Sequence, residues 1–438
     1  MLKAMSSHEQ HKIRMLWVSG VLHAFTHLYG VALMPLYLLI QQDYKLESVG
    51  NATLLVTLMM AAYYIPSYPM GILADRWNRK KLLGWGLALN ALGFVALAFS
   101  PNYACAVASV ALAGFGGSFY HPAATAMVAR LYPVGTGRAL GLAAIGASAG
   151  FFIGPLYTGW RAGMLEHTSG VAAWRRPVLE LGLLGLLATV AFVWIADNER
   201  PVETAAGKDV RSDKLFPTGG LWFFFLLCAL FFSLRDFAGT SMGSLGSLFL
   251  QNARGYDPSR TGIALSGLFL ASVISNPLFG SLSDRGRSRW TMSVLIVAAG
   301  IVISLPHTPA SWTLPLFTVY GFFFLSSYPM TEAALMESVP DAVRGRVFGL
   351  FITVGGLIGN LSHWIVGTRV RSLGSAAYSP QGYYVLYAGL GVLMLLSLAG
   401  LPCFRAIRKR EGRSELPGRD FQTKPAGSAG VVAHSKSA

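Results

Sequence analysis

Two histidines four residues apart, His23 and His27, share one face of a helix if their segment is helical. The apolar stretches of the chain hold few other ionisable groups: His121, the adjacent Arg235 and Asp236, Glu332 and His363. Charge is expensive in such surroundings, so each of these residues marks a cavity, a partner or a pathway. Histidine and carboxylate at that depth can take up and release a proton as their surroundings open to water and close again. Asp236 and Glu332 are the first candidates for that work, and His27 is the next. Imidazole and carboxylate also suit several divalent ions, so His23 and His27 with Asp236 or Glu332 make an alternative, metal-binding set. Proton relay is the better use of these residue types, and no metal is expected. Arg235 stays charged. It can hold a solute's carboxylate or phosphonate, or be locked to Glu332. Neighbours on a helix point about 100° apart, so adjacency alone does not imply a bond between Arg235 and Asp236. Tyr63, Tyr64 and Tyr68, with Phe231, Phe232 and Phe322 to Phe324, can shape an aromatic pocket, although for any one of them packing or lipid contact is the more ordinary role.

The elements that must position these groups follow from composition. Of 438 residues, 53% are hydrophobic and 13% charged, about half the charged fraction of a soluble domain. That excludes a soluble enzyme and a disordered tail protein. The net charge of +15 raises nucleic acid as a partner, but a polar surface on which to spread those charges is missing. Twelve runs are long enough to span a bilayer, which takes roughly 20 apolar residues: 15–40, 49–73, 82–99, 103–130, 139–163, 177–196, 219–250, 259–282, 290–306, 312–336, 345–368 and 382–404. The first run is too long for a signal-peptide core and has no cleavage site, so it should remain as a helix. The chain therefore divides into a polar N-terminus (1–14), a six-helix bundle (15–196), a polar linker (197–217), a second bundle (218–404) and a basic tail (405–438) expected to be disordered. With the N-terminus in the cytoplasm, 26 of the 35 Lys and Arg fall on the inner side and 8 on the outer. Both termini are thus expected in the cytoplasm. Cys105, Cys228 and Cys403 read as small buried hydrophobes.

The halves superpose on each other. Gly71, Asp75 and Arg76 recur as Gly280, Asp284 and Arg285 at an offset of 209, and Gly114, Pro122 and Pro133 recur as Gly321, Pro329 and Pro340 at 207. Gly146 and Gly150 match Gly355 and Gly359 at 209. The same offsets pair His27 with Asp236, Thr125 with Glu332 and His121 with Tyr328. The titratable residues converge on a pseudo-twofold axis, where parallel repeats of a transporter place their site.

The loop Gly71-Ile-Leu-Ala-Asp75-Arg76-Trp-Asn-Arg79-Lys80 resembles the signature loop of the major facilitator superfamily, with Asn78 where glycine is usual. The resemblance covers about residues 14–404 and implies an all-α, polytopic major facilitator fold of twelve transmembrane helices in two six-helix parallel repeats. It further implies a central cavity lined by the first, fourth, seventh and tenth helices, and a charge latch at the two repeated loops, with Gly71 permitting a tight helix exit. Gly141, Gly150, Gly154-Pro155 and Gly159 are similar to the superfamily's antiporter signature, with Thr158 replacing a further glycine and His363-Trp364 standing at the second-half equivalent of Gly154-Pro155. The arginine found in the fourth helix of many drug–proton antiporters is absent; Val110 aligns there. The segment Gly114-Phe-Gly-Gly-Ser-Phe-Tyr-His121-Pro122, followed by Gly137-Arg138 and Gly141, resembles the fosmidomycin-resistance branch and implies export.

The expected function is a secondary transporter, with no enzyme activity, of the cytoplasmic (inner) membrane. It exports a small organic, anionic or amphiphilic solute in exchange for protons by alternating access, with proton-coupled uptake as the alternative and a membrane-embedded enzyme or sensor a distant third. No G-x-x-x-x-G-K-[ST] loop is present, so ATP is not the energy source. The expected partners are the solute, protons and the lipid bilayer, with no cofactor and no nucleic acid, and the chain is expected to act as a monomer. Arg235, Asp236, Glu332, His23, His27, His121 and Tyr328 are the expected substrate contacts. Gating falls to Gly71, Asp75, Arg76, Arg79, Gly280, Asp284, Arg285, Gly150, Gly154 and Pro155.

Overall fold

The computed structural model describes residues 6–132, 136–198, 215–284, 286–339 and 343–410. The described residues form helices and turns, with no strand. The first half contains α1 (Ser7–Val31), α2 (Tyr37–Asp43), α3 (Val49–Tyr64), α4 (Ser67–Arg76), α5 (Arg79–Ala98), α6 (Tyr103–Gly117), α7 (Tyr120–Leu131), α8 (Thr136–Ser169) and α9 (Arg175–Ile195). The second half contains α10 (Gly219–Arg254), α11 (Pro258–Leu270), α12 (Ser272–Ser283), α13 (Arg287–Ser304), α14 (Thr313–Ser338), α15 (Arg344–Ser372), α16 (Tyr384–Ser397) and α17 (Leu401–Arg410).

Polar side chains start many of these helices. Ser6 and Glu9 form a capping box at α1, and Ser48, Asn78, Asn102, Thr218 and Asp257 each accept from a backbone N–H of the first turn they precede. Gly255, with φ 65°, closes α10 in the left-handed conformation that glycine adopts freely. The expected polar N-terminus is therefore partly helix from Ser7, and the expected tail is helix as far as Arg410; residues 411–438, like 199–214 of the linker, lie outside the described residues. Short turns at Met34–Leu36 and Leu398–Gly400 divide the expected runs 15–40 and 382–404, and three further expected runs are broken in two. Pro66 separates α3 from α4, because it lacks an N–H for the helix ladder. Ser118 and Ser272 fold their hydroxyls back onto Phe115 and Phe269 carbonyls at the other two breaks.

Ten helical stretches among the described residues are long and apolar enough to cross a membrane. One of them, the 58-residue Arg138–Ile195, contains both α8 and α9, joined through the turn Gly170–Trp174. The 26-residue α14 lies outside the ten; Ser326, Ser327, Pro329 and Thr331 make it less apolar. Large apolar side chains such as Trp17, Leu187, Trp194 and Val385 are exposed on outward faces, where hydrocarbon rather than water is the suitable solvent. Cys105 shares that outward exposure, contrary to expectation, while Cys228 and Cys403 are buried.

The repeat reappears in packing. A Cβ on Gly114 of α6 would collide with the Met59 carbonyl of α3, and one on Gly321 of α14 would collide with the Leu268 carbonyl of α11. Met59 and Leu268 are themselves 209 residues apart. The two halves touch at the ends of their helices remote from Ser7 and Gly219. Gly159 of α8 packs on Gly262 of α11, and Thr53 of α3 packs on Gly367 of α15. Tyr37 Oη meets Ser244 Oγ at 2.9 Å, and Ser247 donates to the Met34 carbonyl at 2.6 Å.

Candidate functional site: two equivalent clusters

In the first half, α1 presents His23 and His27 one turn apart, and their Nε2 atoms lie 3.1 Å from each other. The break between α6 and α7 brings His121 to the same place, so that one ring nitrogen of each histidine lies within 4.8 Å of the others. The expected carboxylate partners, Asp236 and Glu332, are not members of this group. His23 Nδ1 is 3.1 Å from the Ala143 carbonyl, which can only accept. Tyr120 stacks on His23 with ring centres 4.8 Å apart and donates to the Ser19 carbonyl at 2.9 Å. Phe151 of α8 closes the far side of His27 at 4.3 Å.

In the second half, Arg235 bonds its neighbour directly: Nε and Nη2 both donate to Asp236 Oδ1, at 2.9 and 2.7 Å. The alternative of a lock to Glu332 is not realised; among the described residues Glu332 makes no ion pair with Arg235. A long guanidinium swings sideways across the angle that separates adjacent helix positions, which a shorter cation could not span. Nη1 of Arg235 donates to Thr331 Oγ1 at 2.6 Å, and its guanidinium lies 4.0 Å from the centre of the Tyr328 ring. Glu332 is the next residue of α14 after Thr331. The pair is asymmetric in access: the Arg235 side chain is 2% exposed and that of Asp236 is 15%. Gly355 and Gly359 of α15 make the room, since a Cβ on Gly355 would strike the Asp236 carboxylate. Their equivalents Gly146 and Gly150 instead seat the backbone of α1 at Gly20 and Ala24.

Aromatic rings connect the clusters. Tyr63 lies 6.1 Å from His121 and 4.9 Å from Tyr64, whose ring reaches across to Gly356 beside the Asp236 seat. Tyr68 is largely exposed, Phe232 packs in the core against Phe404, and Phe322 and Phe323 pack on Phe279. His363 uses both ring nitrogens, on Ser244 Oγ at 2.6 Å and Asn360 Oδ1 at 3.1 Å, while Thr57 of the first half donates to the Asn360 carbonyl at 2.8 Å. His363 stands out in the sequence as a deep ionisable group, but Tyr37, Ser244, Asn360 and Thr57 of the same hydrogen-bond chain, like Thr331 and Tyr120, are site or interface residues that sequence reasoning missed. Hydroxyls in apolar helices are common, so type alone gave no signal for them.

The gating residues divide. Gly71 lies inside α4 and Gly280 inside α12, with nothing near the latter; the expected tight helix exit at Gly71 is not formed, because α4 runs on to Arg76. Arg79 is buried and donates to the Ala74 carbonyl at 3.3 Å, and Arg76 is exposed. Asp284 pairs with Arg287 at 3.2 Å, and Arg287 with Glu337 of α14, which also meets Arg408 of α17. These ion pairs stay within the second half. The Asp75 side chain and Arg285 lie outside the described residues. In the first half, Asp197 beyond α9 is held by His11 and Arg14 of α1. Burial pushes its carboxyl up, but the hydrogen bonds from His11 and Arg14 outweigh that and hold it below the ordinary value. Within α8, Gly150 and Gly154 pack on α1, whereas Pro155 and Gly159 pack on Gly262 of the other half.

A helical bundle with apolar outer faces, built of two packing-equivalent halves that each hold ionisable groups at depth, is a multi-pass membrane transporter. The chain belongs to the major facilitator superfamily: the profile described as Major Facilitator Superfamily matches residues 16–363 and 237–433. Among similar proteins, the multi-drug resistance efflux pump PmrA of Streptococcus pneumoniae serotype 4 (strain ATCC BAA-334 / TIGR4) is 27% identical over 91% of this chain and 97% of its own length. The fosmidomycin resistance protein of Escherichia coli (strain K12) is 22% identical over 79% of this chain and 83% of its own. A solved bacterial homologue of the human lysosomal transporter Spinster, inward-facing and unoccupied, shares the fold at a TM-score of 0.73 and 16% identity, covering 93% of this chain and 99% of that one. A solved mutant form of the nucleoside transporter NupG does so at 0.69 and 17%, covering 89% and 100%.

Proposed function

We propose that the chain exports a small organic, anionic or amphiphilic solute in exchange for protons, its halves rocking about the two clusters. The observation that carries this reading is the Arg235–Asp236 pair beside Glu332. An obligate cation sits there against the partly accessible Asp236 carboxylate, with Glu332 next to its Thr331 contact, so that a proton or the anionic group of a solute can each neutralise part of the set. Proton carriage rests on Asp236 and Glu332. Solute contact falls to the exposed edge of that cluster, with Tyr328, and to the histidine side of the aromatic bridge. The names of the similar proteins, a multi-drug efflux pump and a fosmidomycin resistance protein, support export. With both termini in the cytoplasm, contact between the halves at the ends remote from Ser7 and Gly219 makes this an inward-facing arrangement. Repeated-loop residues such as Asp284, paired within their own half, are then free to latch across when the inner side closes.

Reconstitution in proteoliposomes with an imposed pH gradient tests the reading. Wild-type protein should move a solute uphill against proton flow, and Asp236→Asn should lose gradient-driven flux while retaining solute counterflow. Uphill transport by that variant removes Asp236 from the relay. Accumulation with the proton gradient instead of against it converts the reading to uptake.

A further inference from the structure

The histidine cluster has the makings of a metal site that the proton-coupling reading does not use. Two nitrogen ligands of one tetrahedral Zn2+ stand about 3.3 Å apart, given metal–nitrogen bonds of about 2.0–2.1 Å; the Nε2 atoms of His23 and His27 are 3.1 Å apart. One ring nitrogen of each of the three lies within 4.8 Å of the others, a spread that ring-tip shifts of roughly 1 Å close, within a small side-chain rotation. His23 is already oriented as a ligand. Its Nδ1 must donate to the Ala143 carbonyl, which leaves the Nε2 lone pair facing His27 Nε2. As the cluster stands, His27 Nε2 shares its proton with that lone pair. An ion takes the proton's place and His27 carries its N–H on Nδ1 instead. Three imidazoles leave a fourth position of a tetrahedral ion unfilled, and a cavity of about 40 Å3 bordered by His23, His121, Ser19, Tyr120, Thr125 and Ala143 gives room for water beside the cluster. Three imidazoles with one open position favour Zn2+, Co2+ or Ni2+ over the oxygen-seeking Mg2+ and Ca2+.

We propose that His23, His27 and His121 bind one divalent transition-metal ion in the first half, with its fourth coordination position left to water or a solute. All three ligands come from that half, so the ion rides with it and does not lock the halves together. Neutral ligands leave the ion's charge uncompensated, so an anionic oxygen, from hydroxide or from a solute, suits the open position better than a neutral one.

The test uses the full chain, free of any polyhistidine tag, purified in detergent and titrated with Co2+. The expected result is one ion per chain with the intense visible bands of a tetrahedral nitrogen-ligated site, displaced by Zn2+, and a rise in melting temperature with either metal. His27→Gln and His121→Gln should each weaken binding at least ~10-fold, and His363→Gln should leave it unchanged. A wild-type protein that binds no stoichiometric ion, or shows only the weak bands of a hydrated octahedral one, overturns the proposal, and that outcome needs no variant to fold. Unchanged tetrahedral bands in a folded His121→Gln variant overturn it equally. None of these readouts depends on proton flux, so the site and the coupling reading stand or fall separately.

Discussion

His27 and Asp236 occupy equivalent places in the two repeats, and the surroundings of each show how one scaffold supports two chemistries. Around His27 the neighbours are two further imidazoles, a phenylalanine and a backbone carbonyl contact to His23. Asp236 has instead a guanidinium, which is in turn held by a threonine hydroxyl and a tyrosine face. The glycines that make room are the same in register but not in use. Gly146 and Gly150 let the backbone of α1 come close, whereas Gly355 and Gly359 leave a pocket for the Asp236 side chain. A small residue at a helix crossing thus fixes where space exists, and the facing helix decides whether backbone or a charged group fills it.

The largest effect expected from breaking this comparison is at the charged end. Arg235→Ala leaves Asp236 without its partner and should lower stability by about 3–5 kcal/mol, seen as a fall in melting temperature of the purified protein. Replacing both residues with leucine should restore much of that loss, whereas His27→Ala, at the equivalent place, should cost about 1–3 kcal/mol for the lost hydrogen bond. Equal losses at the two places would mean that the Arg235–Asp236 pair is not the buried ion pair described. The repeat itself predicts equality elsewhere. Gly114→Ala and Gly321→Ala each drive a methyl into a carbonyl of the neighbouring helix and should each cost about 1–3 kcal/mol; a variant pair differing severalfold would break the packing equivalence. Between the halves, Ser244→Ala strips a partner from both Tyr37 and His363 and should cost about 1–2 kcal/mol, with raised labelling of cysteines placed along that face as the second readout.

The smallest effect concerns the first half's surface. Asp197 has its carboxyl held below the ordinary value in the folded chain, so its contribution is complete above the unfolded pKa of about 3.9 and is lost as pH falls through the lower folded value. The melting temperature of Asp197→Asn should sit below that of wild type at neutral pH, with the gap closing in acid. A gap independent of pH would show that His11 and Arg14 act on Asp197 through shape alone.

Much of this molecule is legible along the chain. The run lengths and the low charge require helices that satisfy their own backbone groups in hydrocarbon, and the constant offsets require two halves of one design. Deep ionisable groups could be nominated one by one, since so few exist. Apart from His23 and His27, four residues apart on one helix face, their partners could not. His121 joins His23 and His27 because α6 breaks at Ser118, and nothing in one-dimensional spacing reports where a broken helix resumes. Arg235 turns to Asp236 rather than to Glu332, and the room for that carboxylate is left by Gly355, on another helix more than a hundred residues away.

Sequence by itself determined which groups are costly in a membrane and that they fall at matched positions of a repeat, since side-chain type and register are both properties of the chain order. Tertiary structure alone decided which of those groups meet: three imidazoles on one side, a guanidinium and carboxylates on the other, and Tyr63 and Tyr64 between them. Contacts a few ångströms long between distant segments are set by how closely helices can approach, and that is fixed by the packing of the whole bundle.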